Sequence, residues 1–369
     1  MKKQFFAAIC SLTMLTGAAG FVPALNLTAD SDAITAEAYD EEDVLAWETI
    51  QNVRYAVGYA NDINSMAGYK IIAAFNDNFT TVDITIPTTV GGYPISQIGN
   101  QIFKNSNRIR TVTIPSCINQ IGNDFLNNCS SVQNVNFTST IYNFGDNCFR
   151  NATNLRTLNV PSGTLYVGDY FCYHATSLQS ITFGNALDYI GSNCCEGCTS
   201  LQTASLGTGL EYIGDYAFYG CNHMTNFSCP STHLGEWTPN LSQIGYGILW
   251  ANSWADNWNA THTDLVMGSG TFLYRYNGNP GTNASITTYK NTIKYVYDYA
   301  FGADAWTHGS KIKTLDLRSA ERIGTNAFKK LSQATVILSR SKMIAAYGSN
   351  YLTYLKAQSH TNTKFSFVS

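Results

Sequence analysis

The sequence predicts an α/β repeat solenoid, in which parallel β-strands and short helical or 3₁₀ segments alternate along a stack closed by a cap at each end. Three observations predict it. An apolar–glycine step recurs every 23 residues, at Ile98-Gly99, Ile121-Gly122, Phe144-Gly145, Val167-Gly168, Ile190-Gly191 and Ile213-Gly214. A fixed period of this size marks a stacked repeat. Within each period the apolar spacing changes from three to two, hence from a helical face to a pleated strand. Finally, a chain of 369 residues has length for two or three globular domains, yet the repeat runs through its centre where domain boundaries would fall.

Each position of the period has its own chemistry. Two residues after the apolar one stand Asn100, Asn123, Asp146, Asp169, Ser192 and Asp215, all good helix N-caps. Three further on are Phe103, Leu126, Phe149 and Phe218, with Cys172 and Cys195 as exceptions. Three beyond those are Ser106, Cys129, Ala152, Ala175, Cys198 and Cys221. That spacing lays both columns on one face of a short helical turn. The strand follows, as in Leu155, Leu158, Val160 and Leu178, Ile181, Phe183, and Pro115, Pro161 or Pro230 ends it in three copies. One turn thus reads as cap, short helix, strand and return loop. No turn can bury its apolar side alone, so stacking must supply the core, with parallel pairing because every turn runs in the same direction.

The pattern L-x-x-L-x-L followed by x-I-G-[ND]-x-x-F-x-x-[CA] resembles the BspA-like leucine-rich repeat surface proteins of bacteria. Leu155–Val160 with Val167–Ala175, and Ile213–Cys221, carry it best, and the likeness extends over about residues 69–369. It implies a leucine-rich repeat stack and an exported binding protein, secreted or at the cell surface, that contacts matrix proteins, other bacteria or polysaccharide.

The chain opens with Met1-Lys2-Lys3 and an apolar run from Phe5 to Val22, then small residues, which reads as a secretory signal peptide over 1–24. The cut could follow Ala19, Ala24 or Ala38. The alternative is a membrane anchor, for which the run is at the short limit; no second such run appears, so no span is expected in the mature chain. Residues 25–43 carry Asp30, Asp32, Glu37, Asp40, Glu41, Glu42 and Asp43, the composition of a disordered acidic spacer. Residues 44–83 form an N-terminal cap: Val44, Trp47, Ile50 and Val53 fit a helix face, and the stretches before and after Asp62–Gly68 fit a hairpin. Solenoid ends need such covers. The repeats occupy 84–338. Their first turn inserts Gly91-Gly92-Tyr93-Pro94, as is usual in the resembled family. The later marks, at Ile244-Gly245, Val296-Tyr297 and Ile323-Gly324, stretch the period. An insertion over 249–290 reads as a hairpin of Leu265–Met267 and Thr271–Tyr276. Residues 339–369 form a C-terminal cap, a helix from Ser341 to Ser359 and a strand from Lys364 to Val368.

Nine of the ten cysteines lie outside the apolar leader. Cys129, Cys172, Cys195, Cys198 and Cys221 fall in core columns, where thiols act as small apolar fillers. A disulfide between Cys198 and Cys221, one period apart, is the alternative, with parallel Cβ vectors against it. The Cys195-x-x-Cys198 spacing and the set Cys221, His223, Cys229 and His233 have the form of redox or zinc motifs, but the repeat already accounts for the core cysteines.

The outward strand positions form two columns, which contain Asn134, Thr157, Ser180 and Thr203, and Asn136, Asn159, Thr182 and Ser205. General acid–base or nucleophilic catalysis needs titratable groups placed together; these columns offer only hydroxyls and amides. They suit an extracellular protein or glycan, or else simply a solvated β-face. Trp250, Trp254 and Trp258 at spacings of four could stack on sugars, or could plaster the irregular turn onto the solenoid. With Lys+Arg 22 against Asp+Glu 25 and no basic stripe, nucleic acid has no electrostatic footprint. No cofactor motif appears. An enzyme, such as a hydrolase, and a passive spacer are the alternatives to a binding protein.

Overall fold

The computed structural model describes residues 44–369 apart from 52, 61–67, 77–81, 139, 231–244, 246, 250, 253–254, 256–263, 268–271, 277 and 303–306. They form a parallel β-solenoid of about 10 turns with very little helix. The strands with period-two alternation pair in register: Thr157–Asn159, Ser180–Thr182, Thr203–Ser205 and Asn226–Ser228 make one group. Val82–Thr85, Ile109–Ile114 and Asn134–Phe137 make a separate one.

A second parallel ladder lies where a return loop was expected, on the apolar–glycine step itself. Ile98 pairs with Ile121, Ile121 with Phe144, Phe144 with Val167, Val167 with Ile190 and Ile190 with Ile213. The glycine N–H extends it: Gly122 donates to Ile98 O at 2.8 Å, Gly168 to Phe144 O at 3.0 Å and Gly214 to Ile190 O at 2.8 Å. The glycines therefore line up along one edge. A Cβ at Gly122 would lie 2.5 Å from Asn100 Oδ1, and one at Gly145 2.3 Å from Asn123 Oδ1, which excludes any side chain. At Tyr297 the turn below is the inserted hairpin strand Phe272–Tyr276. There the glycine is dispensable, and Tyr297 stacks on Tyr274 with centroids 4.7 Å apart while its N–H still reaches Leu273 O at 2.9 Å.

The segment expected as a short helix is instead a run of successive turns. Gln101, Asp124, Asn147, Tyr170, Asn193 and Tyr216, one per period, have φ between 54° and 59°. Four residues on, Asn105, Asn128, Asn151 and His174 have φ between 54° and 63°, followed in the column by Gly197 and Gly220. Left-handed residues at this interval forbid a helix. They turn alternate N–H groups along the stack: those of Asp124, Leu126 and Asn128 donate to Asp146, Cys148 and Arg150 O at 2.7, 2.7 and 2.8 Å. The intervening N–H groups close local turns, such as Cys129 on Leu126 O at 3.2 Å. The column read as helix N-caps consequently bonds between turns: Asn100, Asn123, Asp146 and Asp169 each accept through Oδ1 from the N–H one period ahead, at 2.7 to 2.9 Å.

Because turns replace the helix, two adjacent columns point inward where one was expected. Phe125, Cys148, Phe171 and Cys194 lie fully buried beside Leu126, Phe149, Cys172 and Cys195, and rings interlock between turns, as Phe149 and Phe171 do edge-to-face at 5.0 Å. The described cysteines are free thiols. Cys198 Sγ donates to Cys172 O at 3.0 Å and Cys221 Sγ to Cys195 O at 3.4 Å, so each thiol is spent on a carbonyl of the turn before. Burial pushes the thiol of Cys195 up to about 11 and that of Cys129 up to about 12, the opposite of an activated nucleophile.

Both ends are covered. Ala46–Ile50, where a helix face was one reading, is a strand antiparallel to Val53–Ala60, which pairs antiparallel with Gly68–Asn76. That last strand starts the parallel ladder by pairing with Tyr93–Ile98. At the other end two short helices, Arg340–Tyr347 and Tyr351–Ala357, flank a kink at Gly348, whose φ is 67°. Their side chains stand in for the missing next turn: Tyr354 Oη donates to Ile323 O at 2.7 Å, and Gln358 Oε1 accepts from Asn326 N at 2.9 Å. Lys364–Val368 adds a final parallel strand to Thr335–Ser339.

Phe218 is fully buried and edge-on to Phe227 at 5.4 Å. Phe218→Ala should cost about 3–5 kcal/mol by opening a cavity; coincident denaturation curves for variant and native protein would remove Phe218 from the core. Asp298 supplies the same inter-turn acceptor, to Thr325 N at 2.5 Å, but burial raises its carboxyl above the usual range. A carboxyl with a raised folded-state value loses stability as pH rises through that value. Asp298→Asn keeps the acceptor without the charge. The variant should melt higher than native protein at neutral pH, and the difference should vanish in acid; a pH-independent difference would rule out the buried charge as its cause.

Candidate functional site

The outward strand columns come together on one face. Thr157, Ser180 and Thr203 are successive partners, as are Asn159, Thr182 and Ser205; Asn134 and Asn136 stand on the neighbouring group. Asn134, Asn136, Thr157, Asn159 and Thr182 are exposed, and Ser180, Thr203 and Ser205 are half-buried.

The two strand groups do not pair with each other. Asn134–Phe137 is tied backward, since the N–H and Oγ1 of Thr138 both donate to Ile114 O, at 3.1 and 3.0 Å. Thr157–Asn159 is tied forward, through Val160 N to Thr182 O at 2.9 Å. Between them a seam opens into a cavity of about 520 Å³, lined by Asn136, Thr138, Thr140, Asn159 and Ser162 over an apolar floor that includes Phe137 and Val160. No lining residue is titratable. The seam can therefore exchange hydrogen bonds with a neutral ligand and cover its apolar parts, and it holds no charged side chain beside its hydroxyls to act as acid or base. Nothing in the alternation of the strands signalled the break.

The remaining sequence-level candidates sit elsewhere. Cys195 and Cys198 are both in the core, His223 is exposed with Nδ1 2.6 Å from Thr199 O, and Cys229 is half-buried. Among the described residues no group of three His, Cys, Asp or Glu could hold a metal ion. Trp250, Trp254, Trp258 and His233 lie outside the described residues. One column went unread: Tyr166, Tyr189 and Tyr212, a period apart and immediately before the apolar–glycine step, stack with centroids 4.6 and 4.3 Å apart and ring planes 14° and 2° apart. Their spacing in the sequence was the signal.

A family profile described as BspA type leucine rich repeat region matches residues 70–173 and 165–241, in 6 copies. No curated protein matches the chain. Among solved structures, the leucine-rich repeat protein of T. pallidum is similar at 17% identity and a TM-score of 0.45, over 53% of this chain and 86% of that one. A leucine-rich cell surface protein of Faecalibacterium prausnitzii is similar at 18% and 0.42, over 82% and 78%. A leucine-rich repeat protein of Bacteroides ovatus is similar at 15% and 0.43, over 87% and 100%. Residues 70–241 are thus a leucine-rich repeat region of the BspA type, and the inter-turn ladders and the glycine column are the structural form of that repeat.

Proposed function

We propose that this is an exported binding protein that holds an extracellular protein or glycan against its strand face, with the seam at Asn136 and Asn159 at the centre of the contact. The seam carries the reading: it is the place on an uncharged face where a ligand meets both depth and hydrogen-bonding side chains. The repeat type fits a ligand-binding role at the cell surface. The basic start and apolar run at the N-terminus support export, and among the described residues no helix is long and apolar enough to cross a membrane. Binding here rests on many modest contacts from a rigid scaffold, each amide or hydroxyl adding about 1 kcal/mol. An array of glycans and extracellular matrix proteins, probed with the whole chain, tests the proposal. Replacing Asn136, Asn159 and Thr182 together by Ala should leave the melting temperature within about 1–2 °C of native and weaken the bound ligand at least about tenfold. Unchanged affinity would move the site off the strand face, and an array without saturable binding would favour a passive spacer.

A further inference from the structure

The face carrying the second ladder has a groove of its own, of about 540 Å³, running over the turns upstream of the tyrosine stack. Gly99, Gly122 and Gly145 line it, and because they lack side chains the Asn100 and Asn123 amides lie close over the glycines of the next turn. Gln120 and Asn143 rise on one side and Asn123 on the other. Tyr166 closes the end. The groove exists because its column holds Gln or Asn; one turn further on the same column holds tyrosine, and the space is filled. Asn143 is the register partner of Tyr166 and Tyr166 of Tyr189. Tyr166 thus turns one ring face to Tyr189, 4.6 Å away, and the other toward the groove, and it remains 37% exposed.

We propose that this groove is a binding site for a neutral oligosaccharide, separate from the strand-face seam. Three features select that class. The lining has amides along its length and a single charged side chain, Lys70, so it matches a polyol better than an anion or a lipid. Asn123 spends its Oδ1 on Asp146 N at 2.8 Å, which turns its amide N–H₂, a pure donor, to the outside. The ring face of Tyr166 offers a flat apolar end wall against which the C–H face of a sugar can lie. The repeat adds a geometric match: side chains recur at the strand spacing of about 4.8 Å, a step close to that of one sugar in an extended chain, so successive sugars meet equivalent amides.

Calorimetric titration of the whole chain with short β-linked oligomers of glucose, mannose and N-acetylglucosamine tests this. Saturable binding to at least one is expected. Asn143→Tyr should extend the tyrosine stack by one turn, fill the groove and weaken binding at least about tenfold, with the melting temperature held. Tyr166→Ala, which removes the wall without filling the space, should weaken it similarly, so the test survives if Asn143→Tyr fails to fold. The strand-face triple variant should leave this binding intact. The proposal falls if none of the sugars binds saturably, if both groove variants bind as tightly as native protein, or if only the strand-face variant loses the sugar. It falls too if Asn143→Tyr abolishes capture of a protein while no sugar binds.

Discussion

Everything in this molecule depends on one constraint: each turn leaves backbone donors and acceptors that only the next turn, one strand spacing away, can satisfy. Unpaired backbone groups are too costly to bury. The solenoid meets the demand with three sets of inter-turn bonds, on the strand, on the apolar–glycine step and along the turn run. Left-handed residues aim the third set, which accounts for Asn, Asp and Gly recurring there although none of them packs the core. The glycine column follows too, since the backbone of the turn below, or the side-chain oxygen of the residue after its glycine, already occupies the place of a Cβ.

The same constraint fixes what faces water. A side chain in a column meets its own kind one turn away, so unbroken charge would repel along the stack, whereas amides can bond to each other. Asn105, Asn128 and Asn151 do so, Nδ2 to Oδ1, at 2.9 and 2.7 Å. Tyrosines can stack. These columns present neutral hydrogen-bonding groups and stacked rings at regular spacing. Depth arises where the regularity lapses: at the seam where one strand group ends and the next begins, and where a column changes from amide to tyrosine.

The irregular region past residue 230 obeys the same rule at lower regularity. The buried apolar side chains form two clusters there, one ending at Tyr297 and the other beginning at Leu273. The inserted hairpin starts a second ladder, in which Phe272–Tyr276 takes the place of an apolar–glycine strand beneath Tyr295–Val296. The terminal helices bury Met343 and Leu355 in the second cluster, and Tyr354 with the following Gln358 answers the last turn's open backbone.

The primary sequence determined the period, the direction of stacking and the inward apolar columns, because these follow from spacing alone. It also determined that the outward strand positions of the six regular turns carry no charge. Tertiary structure decided the rest. Capping-type residues and an i, i+3 apolar pair favour a helix locally, but bonds to the neighbouring turn outweigh bonds within one, and the segment becomes left-handed turns with a second inward column. A two-residue strand has no periodicity to read, so the ladder at the glycine step emerged only once the turns lay on one another. The seam beside Asn136 and Asn159 was equally hidden, since it arises from which neighbour each strand bonds to, a choice that no single period of the sequence contains.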